Sequence, residues 1–291
     1  MKKKISNILF ALLFLAGLGI LAYPAVSDRW KAYRQSKLIS GYESAVGEME
    51  EEDFEAAWSA ARAYNSSFSG NRITSDVFGV DGTGDIRETE YWEILNITGD
   101  GVMGYLTIPK IDVRLSIYHG TSEEVLSTGV GHMNGSKLPI GGESNHSVLS
   151  AHRGLPSAKL FTDIDRLGEG DQFYLHILNE DLAYEVDRVL PMIDKNDYDA
   201  LEEAVKIEDG QDQVTLFTCT PYGVNSHRLL VRGHRVPYDG NTEQAQEEAG
   251  PQAARMNYVP YLLAGSGATA VAIFAVRRVM GRRKRRQIKP E

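Results

Sequence analysis

The chain has 291 residues, 42% of them hydrophobic, with a single cysteine and a formal net charge of −9. One cysteine excludes any intramolecular disulfide, so a domain outside the cell would have to be stable without one. With two apolar terminal segments set aside, the length fits one domain of about 150–200 residues.

Lys2, Lys3 and Lys4 precede an uncharged stretch over 5–27 that is mostly Leu, Ile, Phe and Ala. That is about the length needed to cross a bilayer, and lysines at its start predict a cytoplasmic N-terminus. A cleaved signal peptide is the rival reading. Tyr23 and Pro24 make a poor small-residue cleavage site, so a retained anchor over 1–27 is expected. The other end mirrors it. Residues 256–276 carry no charge, and a basic tail over 277–291 follows at once, with Arg277, Arg278 and a cationic run over 282–286. This predicts a second transmembrane helix with a cytoplasmic end. Both ends inside would place 28–255 on the extracellular face of the cell membrane. Without the three N-terminal lysines and the tail's eight cations and one glutamate, the intervening residues carry about −19. Such acidity reads as a solvated surface, one that would also favour a lysine-bearing partner at close range. No nucleic acid, cofactor or metal is expected.

Residues 28–64 are helical in pattern. Trp30, Tyr33, Phe54, Ala57, Trp58 and Ala61 recur at three- and four-residue spacing, with Glu48, Glu50, Glu51 and Glu52 on the other face. Gly41 and Gly47 predict a break into two helices, a stalk packed on the domain. Over 65–99 Asn, Ser and Gly make a long loop, and such loops in compact domains are functional or disordered. Strands are expected over 103–110, 113–119, 147–151, 172–178, 182–192, 214–219 and 228–236, with a hairpin turn at Asn179-Glu180-Asp181. A split at Asp187-Arg188 would bring seven strands to eight. Short helices are expected over 123–127, 158–167 and 198–205. Many short strands without βαβ alternation argue for a closed barrel over 100–236. The polar, acidic stretch 237–255 reads as a flexible linker of roughly 20–25 Å root-mean-square reach.

Val214-Thr215-Leu216-Phe217-Thr218-Cys219 is a β-branched and aromatic run, broken by Thr220-Pro221-Tyr222-Gly223 because Pro cannot donate to a ladder and Gly relaxes the backbone. The only cysteine therefore stands where a strand ends, and Arg228 opens the next strand, so the two ends can face one another. Free Cys usually packs as a small hydrophobe. Beside a fixed cation it becomes a candidate nucleophile, since positive charge favours the thiolate. His152 repeats the placement: Ser147-Val148-Leu149-Ser150-Ala151 runs as a strand into His152-Arg153-Gly154-Leu155-Pro156, a Gly/Pro loop. His227 reads as structural, its side chain alternating away from that of Arg228. A zinc site from Cys219, His227 and His234 is the rival use of these residues, but the spacing fits no common ligand pattern.

Thr215-Leu216-Phe217-Thr218-Cys219 resembles the Thr-Leu-x-Thr-Cys signature of sortases. The continuation through Arg228, and the segment Ser150-Ala151-His152-Arg153-Gly154-Leu155-Pro156, are similar to those of class C, pilus-building sortases. The resemblance is dense over about 100–236 and loose in the flanks. It implies a mostly β fold: a sortase-like closed eight-stranded β-barrel with short helices, here with an N-terminal helical segment and two terminal transmembrane helices. It also implies a cysteine transpeptidase with Cys219 as nucleophile, His152 as general acid/base and Arg228 as oxyanion stabiliser. The family's class C members carry a lid whose Asp-Pro-aromatic motif plugs the site. The matching tripeptide is Asp76-Val77-Phe78, which lacks the Pro, so a less rigid lid is expected. The implied partners are pilin subunits with a Leu-Pro-x-Thr-Gly-like sorting signal and an acceptor lysine, joined through isopeptide bonds.

Three alternatives are open. A housekeeping sortase would attach surface proteins to the cell wall; the lid-like loop and second span count against it. An L,D-transpeptidase normally places His and Gly just before its Cys, where Phe217-Thr218 stands. A non-catalytic surface-binding protein would need no coincidence of Cys, His and Arg at strand ends.

Overall fold

The computed structural model describes residues 2–68, 70, 71, 73, 76–78 and 86–249. The helix expected over 256–276 and the basic tail over 277–291 lie outside the described residues. Among the described residues eight strands form the fold: β1 (Val102–Ile108), β2 (Val113–His119), β3 (Val130–His132), β4 (Asn145–Ser150), β5 (Gln172–Ile177), β6 (Glu180–Asp194), β7 (Asp212–Thr220) and β8 (His227–Val236). They close into a barrel in the order β1-β2-β3-β4-β7-β8-β6-β5. The two parallel contacts are β2 with β3 and β4 with β7.

β7 explains why a strand of mixed character can be wholly buried. Its inward side chains Val214 and Leu216 join the main core, and the outward Phe217 joins a second apolar cluster with Val148, Leu201, Ala204, Val205 and Leu230. Alternation sends successive residues to opposite faces, and here both faces are covered. The outer cover is partly a helix. The helices in chain order are α1 (Lys2–Gly47), α2 (Glu51–Ser66), α3 (Glu90–Glu93), α4 (Glu123–Leu126), α5 (Tyr198–Ala204) and α6 (Gly240–Ala249). α5, capped by Asp197 whose carboxylate accepts from Ala200 N at 3.1 Å, lays Leu201 and Ala204 over Phe217 and Leu230.

Part of α1 is long and apolar enough to cross a membrane, with mean hydropathy 1.3 in its most apolar window. Leu12, Leu13, Leu15, Ile20 and Leu21 are all exposed, as they would be on a helix whose solvent is lipid. Further along, Gln35, Ile39 and Tyr42 are buried against the barrel. The helical spacing holds but its phase differs from expectation: Trp30 and Tyr33 face outward. Gly41 does not interrupt α1; the break comes after Gly47, where Glu50 and Asp53 form a capping box that starts α2. α2 buries Trp58, Ala61 and Asn65.

Several other sequence expectations are corrected. The eighth strand is β3, three residues long and too short to show an alternation. β6 is not split at Asp187-Arg188 but runs through with a register shift there, a bulge that bends the strand without ending it. The hairpin turn is Leu178-Asn179, because Ile177 already pairs with Glu180. Residues 158–167 form turns and one 3-10 segment, Ile164–Arg166, rather than a helix. Within the stretch 65–99 read as loop, Ser66 ends α2, and Tyr91, Ile94 and Leu95 around α3 are buried in the main core. The stretch 237–255 is not wholly a flexible linker, since 240–249 is α6, with Glu243 buried on the barrel.

Candidate active site

β7 and β8 pair antiparallel with Cys219 directly opposite Arg228. Directly opposed residues share a face, with Cβ atoms about 4.5–5.5 Å apart, so thiol and guanidinium project together. β4 runs parallel to β7 with Ser150 level with Phe217. Continued two residues, that register brings His152 level with Cys219. The strand end carrying His152 is tied to β7 by Ala151 N donating to Phe217 O at 3.3 Å and by Thr218 Oγ1 donating to Ala151 O at 2.7 Å. The three candidates, separated by up to 76 positions in sequence, thus meet at one end of adjacent strands. The loop beyond His152 turns at Gly154, whose φ is +78° and whose added Cβ would lie 2.7 Å from the Tyr222 ring. Only glycine meets both demands cheaply.

Arg228 is 2% exposed. Its Nη1 donates to Asn225 O at 3.1 Å and to His227 O at 2.8 Å. Its other edge meets Asp76: Nε donates to Oδ1 at 3.1 Å, and Nη2 donates to Oδ2. This is the two-pronged arginine–carboxylate arrangement that combines charge with fixed geometry. Two residues on, the Phe78 ring lies 5.3 Å from the Arg228 guanidinium, 5.4 Å from the His152 ring and 6.0 Å from Phe217, on which it stacks. Asp76 Oδ1 also accepts from Phe78 N at 3.3 Å, turning the chain so that both side chains point inward. Val77 and Phe78 pack on the second apolar cluster.

Cys219 is 3% exposed. Burial pushes its thiol up to about 11; Arg228 and Lys195 pull it down, and Asp76 pushes it up further. The carboxylate therefore cancels part of the help that the arginine gives, and the thiol is protonated near neutral pH. His227 lies beside the site, its Nδ1 2.8 Å from Ser226 Oγ. His234 pairs with Gln213, six residues beyond Arg228 along β8, about 20 Å from the Cys219 end at strand rise. The rival zinc set is thus spread along the strand. One polar neighbour was not anticipated: His152 Nε2 lies 2.9 Å from Glu123 Oε2. That contact crosses 29 positions and has no local sequence signal.

A family model described as "Sortase domain" matches residues 106–236. Among solved structures, sortase C-1 from Streptococcus pneumoniae is 42% identical, aligning 70% of this chain with 100% of that one at a TM-score of 0.64. The pilus-related sortase C of group B Streptococcus is 37% identical, over 68% of this chain and 97% of that one, at a TM-score of 0.60. Among curated relatives, sortase D of Bacillus subtilis is 32% identical over 136 residues, which is 46% of this chain and 63% of that protein. Fold and relatives together define a cysteine transpeptidase. The chain belongs to the sortase family, and its structural neighbours are class C pilus sortases from streptococci.

Proposed function

We propose that this chain is a membrane-anchored transpeptidase that cleaves a Leu-Pro-x-Thr-Gly-like sorting signal and joins pilin subunits through lysine isopeptide bonds. The observation that carries this reading is the convergence of Asp76 and Phe78 on Arg228 and His152. A dedicated plug is needed only where the plugged groups react. α1 anchors the enzyme, its N-terminus cytoplasmic. The barrel then works on the extracellular face, where its acidic surface favours the approach of a lysine-bearing pilin.

In the proposed reaction the plug leaves and the carbonyl of the signal's Thr takes its place beside Arg228. Withdrawal of Asp76 removes one cause of the high thiol pKa and frees the guanidinium. Sγ of Cys219 attacks the Thr carbonyl and its proton passes to His152. Arg228 holds the oxyanion that forms, a charge absent from the ground state and therefore one whose stabilisation accelerates the step. As the Thr–Gly bond breaks, His152 returns the proton to the departing amine, leaving a thioester on Cys219. The lysine amine of the next pilin attacks the thioester, His152 takes its proton, and Sγ leaves as the isopeptide bond forms.

The test is protection of Cys219. Iodoacetamide should label Cys219 in the full-length chain, and a sorting-signal peptide should slow that labelling while being cleaved. A Cys219→Ala variant should neither cleave the peptide nor join pilins. Cleavage by Cys219→Ala would contradict the reading, and labelling indifferent to the peptide would favour a protein that does no acyl transfer.

A further inference from the structure

His152 Nε2 lies 2.9 Å from Glu123 Oε2. A carboxylate can only accept, so the proton of this bond sits on Nε2. Nδ1 is engaged by no described residue. Phe78 covers the ring from the side, 5.4 Å away, and the imidazole is largely buried while Glu123 is 77% exposed. Glu123 is the first residue of α4, the four-residue helix that ends at Leu126.

One face of α1 grips both segments that carry the pair. Lys31 Nζ donates to Ser127 O, at the end of α4, at 2.7 Å, and Gln35 Nε2 donates to Thr128 O at 2.7 Å. The same Lys31 Nζ lies 3.3 Å from Ser157 Oγ, in the loop that follows His152. Asp28 Oδ1 accepts from Lys159 N in that loop at 2.9 Å. Phe161 N closes the loop back onto His152 O at 3.1 Å. Residues 28, 31 and 35 recur at three- and four-residue spacing and so share one stripe of the helix. The helix that carries the apolar segment is thus the brace between the Glu123 segment and the His152 segment.

We propose that Glu123 is a positioning residue for His152, with α1, through Lys31, holding the two at working distance. Glu123 fixes the imidazole with its proton on Nε2 and its lone pair on Nδ1. When Sγ of Cys219 bonds to the substrate carbonyl, Nδ1 takes the thiol proton, and the resulting imidazolium keeps its Nε2–H on Glu123. When the C–N bond breaks, Nδ1 gives that proton to the amine, and the starting tautomer returns. This inference rests on the reading of His152 as acid/base, and its test keeps the two apart.

The experiment uses the full chain in detergent with a Leu-Pro-x-Thr-Gly peptide carrying alanine at the variable position. Glu123→Ala should lower kcat about tenfold and leave KM unchanged, the effect of losing one charge-assisted hydrogen bond. Glu123→Asp should recover most of it. Nitrogen NMR of labelled His152 should give the Nε2–H tautomer in the parent and a mixture in Glu123→Ala. Lys31→Ala should lower kcat by about threefold and add nothing in the Glu123→Ala background, because coupled residues are not additive. Should kcat of Glu123→Ala stay within about twofold of the parent while His152→Ala is inactive, or fall with no change of tautomer, the proposal is overturned. Full additivity of Lys31→Ala with Glu123→Ala would remove α1 from it. If His152→Ala keeps its activity, the reading of His152 itself fails, whatever Glu123 does.

Discussion

Near Cys219 and again on β5, a segment outside the barrel sets a carboxylate on a buried basic side chain of a barrel strand. Near Cys219, Asp76 takes Arg228 of β8 through two hydrogen bonds. On β5, Glu243 of α6 meets His176 Nε2 at 3.1 Å, while Asp181 takes Nδ1 at 2.6 Å. Around that second cluster Tyr105 stacks on His176 at 4.2 Å, Thr107 Oγ1 lies 3.2 Å from Nε2, and Tyr238 donates to Glu243 Oε2 at 2.7 Å. Burial pulls His176 down, but the hydrogen bonds and charges of Asp181 and Glu243 outweigh it and hold it above the ordinary histidine value. The difference lies in the cation. A histidine loses its charge near neutral pH, whereas a guanidinium keeps its own. The α6 contact is therefore tuned by protons, and the Asp76 contact yields only to another acceptor. On the proposed mechanism that acceptor is the substrate, so one contact fastens the fold and the other guards the chemistry.

The largest effect should come from the guarded cation. Arg228→Ala should lower turnover of a sorting-signal peptide about 100–1,000-fold, the usual cost of one oxyanion donor. Arg228→Lys should recover only part, since it lacks the planar fork. Near-normal kcat in Arg228→Ala would make Arg228 a structural residue like His176 and erase the contrast.

Opening the guard should have a smaller effect of opposite sign. Asp76→Ala combined with Phe78→Ala should speed alkylation of Cys219 by about three- to tenfold, because a closed fraction no longer hides the thiol. Val77→Pro should slow it by restricting the unbound backbone. Equal rates in all three proteins would mean that the tripeptide does not cover the site.

The pH profile of the same reaction sharpens the point. In the parent, alkylation should climb as pH rises through about 11, the burial-raised value of Cys219. Asp76 pushes that value up, so Asp76→Ala should shift the climb to lower pH. An unshifted climb would show that Asp76 does not act on the thiol.

The smallest effect belongs to the other contact. His176 is raised in the folded state, so its contribution to stability is complete below about pH 6.5, the unfolded value, and fades as pH rises through the folded one. His176→Gln should therefore cost on the order of 1 kcal/mol under acid conditions and less under alkaline ones. Thermal melts at about pH 5.5 and about pH 8 would read it, and a cost independent of pH would show that His176 is held uncharged.

How much of this could be read from sequence depends on how local each signal is. β7 and the loop after it announce themselves through β-branched residues followed by Pro221 and Gly223, which is why the facing of Cys219 and Arg228 is legible. His152 is legible for the same reason. β3 is not, being three residues held by its neighbours rather than by a pattern of its own. Trp30 and Tyr33 have the right spacing in the wrong phase, because spacing gives a helix but not which stripe meets the barrel. α6 is acidic and polar, the composition of a linker, and its docking depends on the buried Glu243 and its partner His176, 67 positions away. Asp76 and Phe78 stand out only through resemblance to relatives. Glu123 offers no signal at all, for an exposed glutamate beginning a four-residue helix looks like any other until His152 is seen beside it.

The most direct measurement of the central claim is a mass spectrum of the intact chain quenched during turnover of a sorting-signal peptide. Thioester chemistry predicts an adduct equal to the peptide's N-terminal half, ending at Thr, mapped to Cys219 and discharged by an added amine. It also predicts no adduct in Cys219→Ala, and accumulation in the parent when the acceptor amine is withheld. A peptide cleaved with no adduct on Cys219, or an adduct that no amine can discharge, would contradict the thioester and with it the transpeptidase reading of this site.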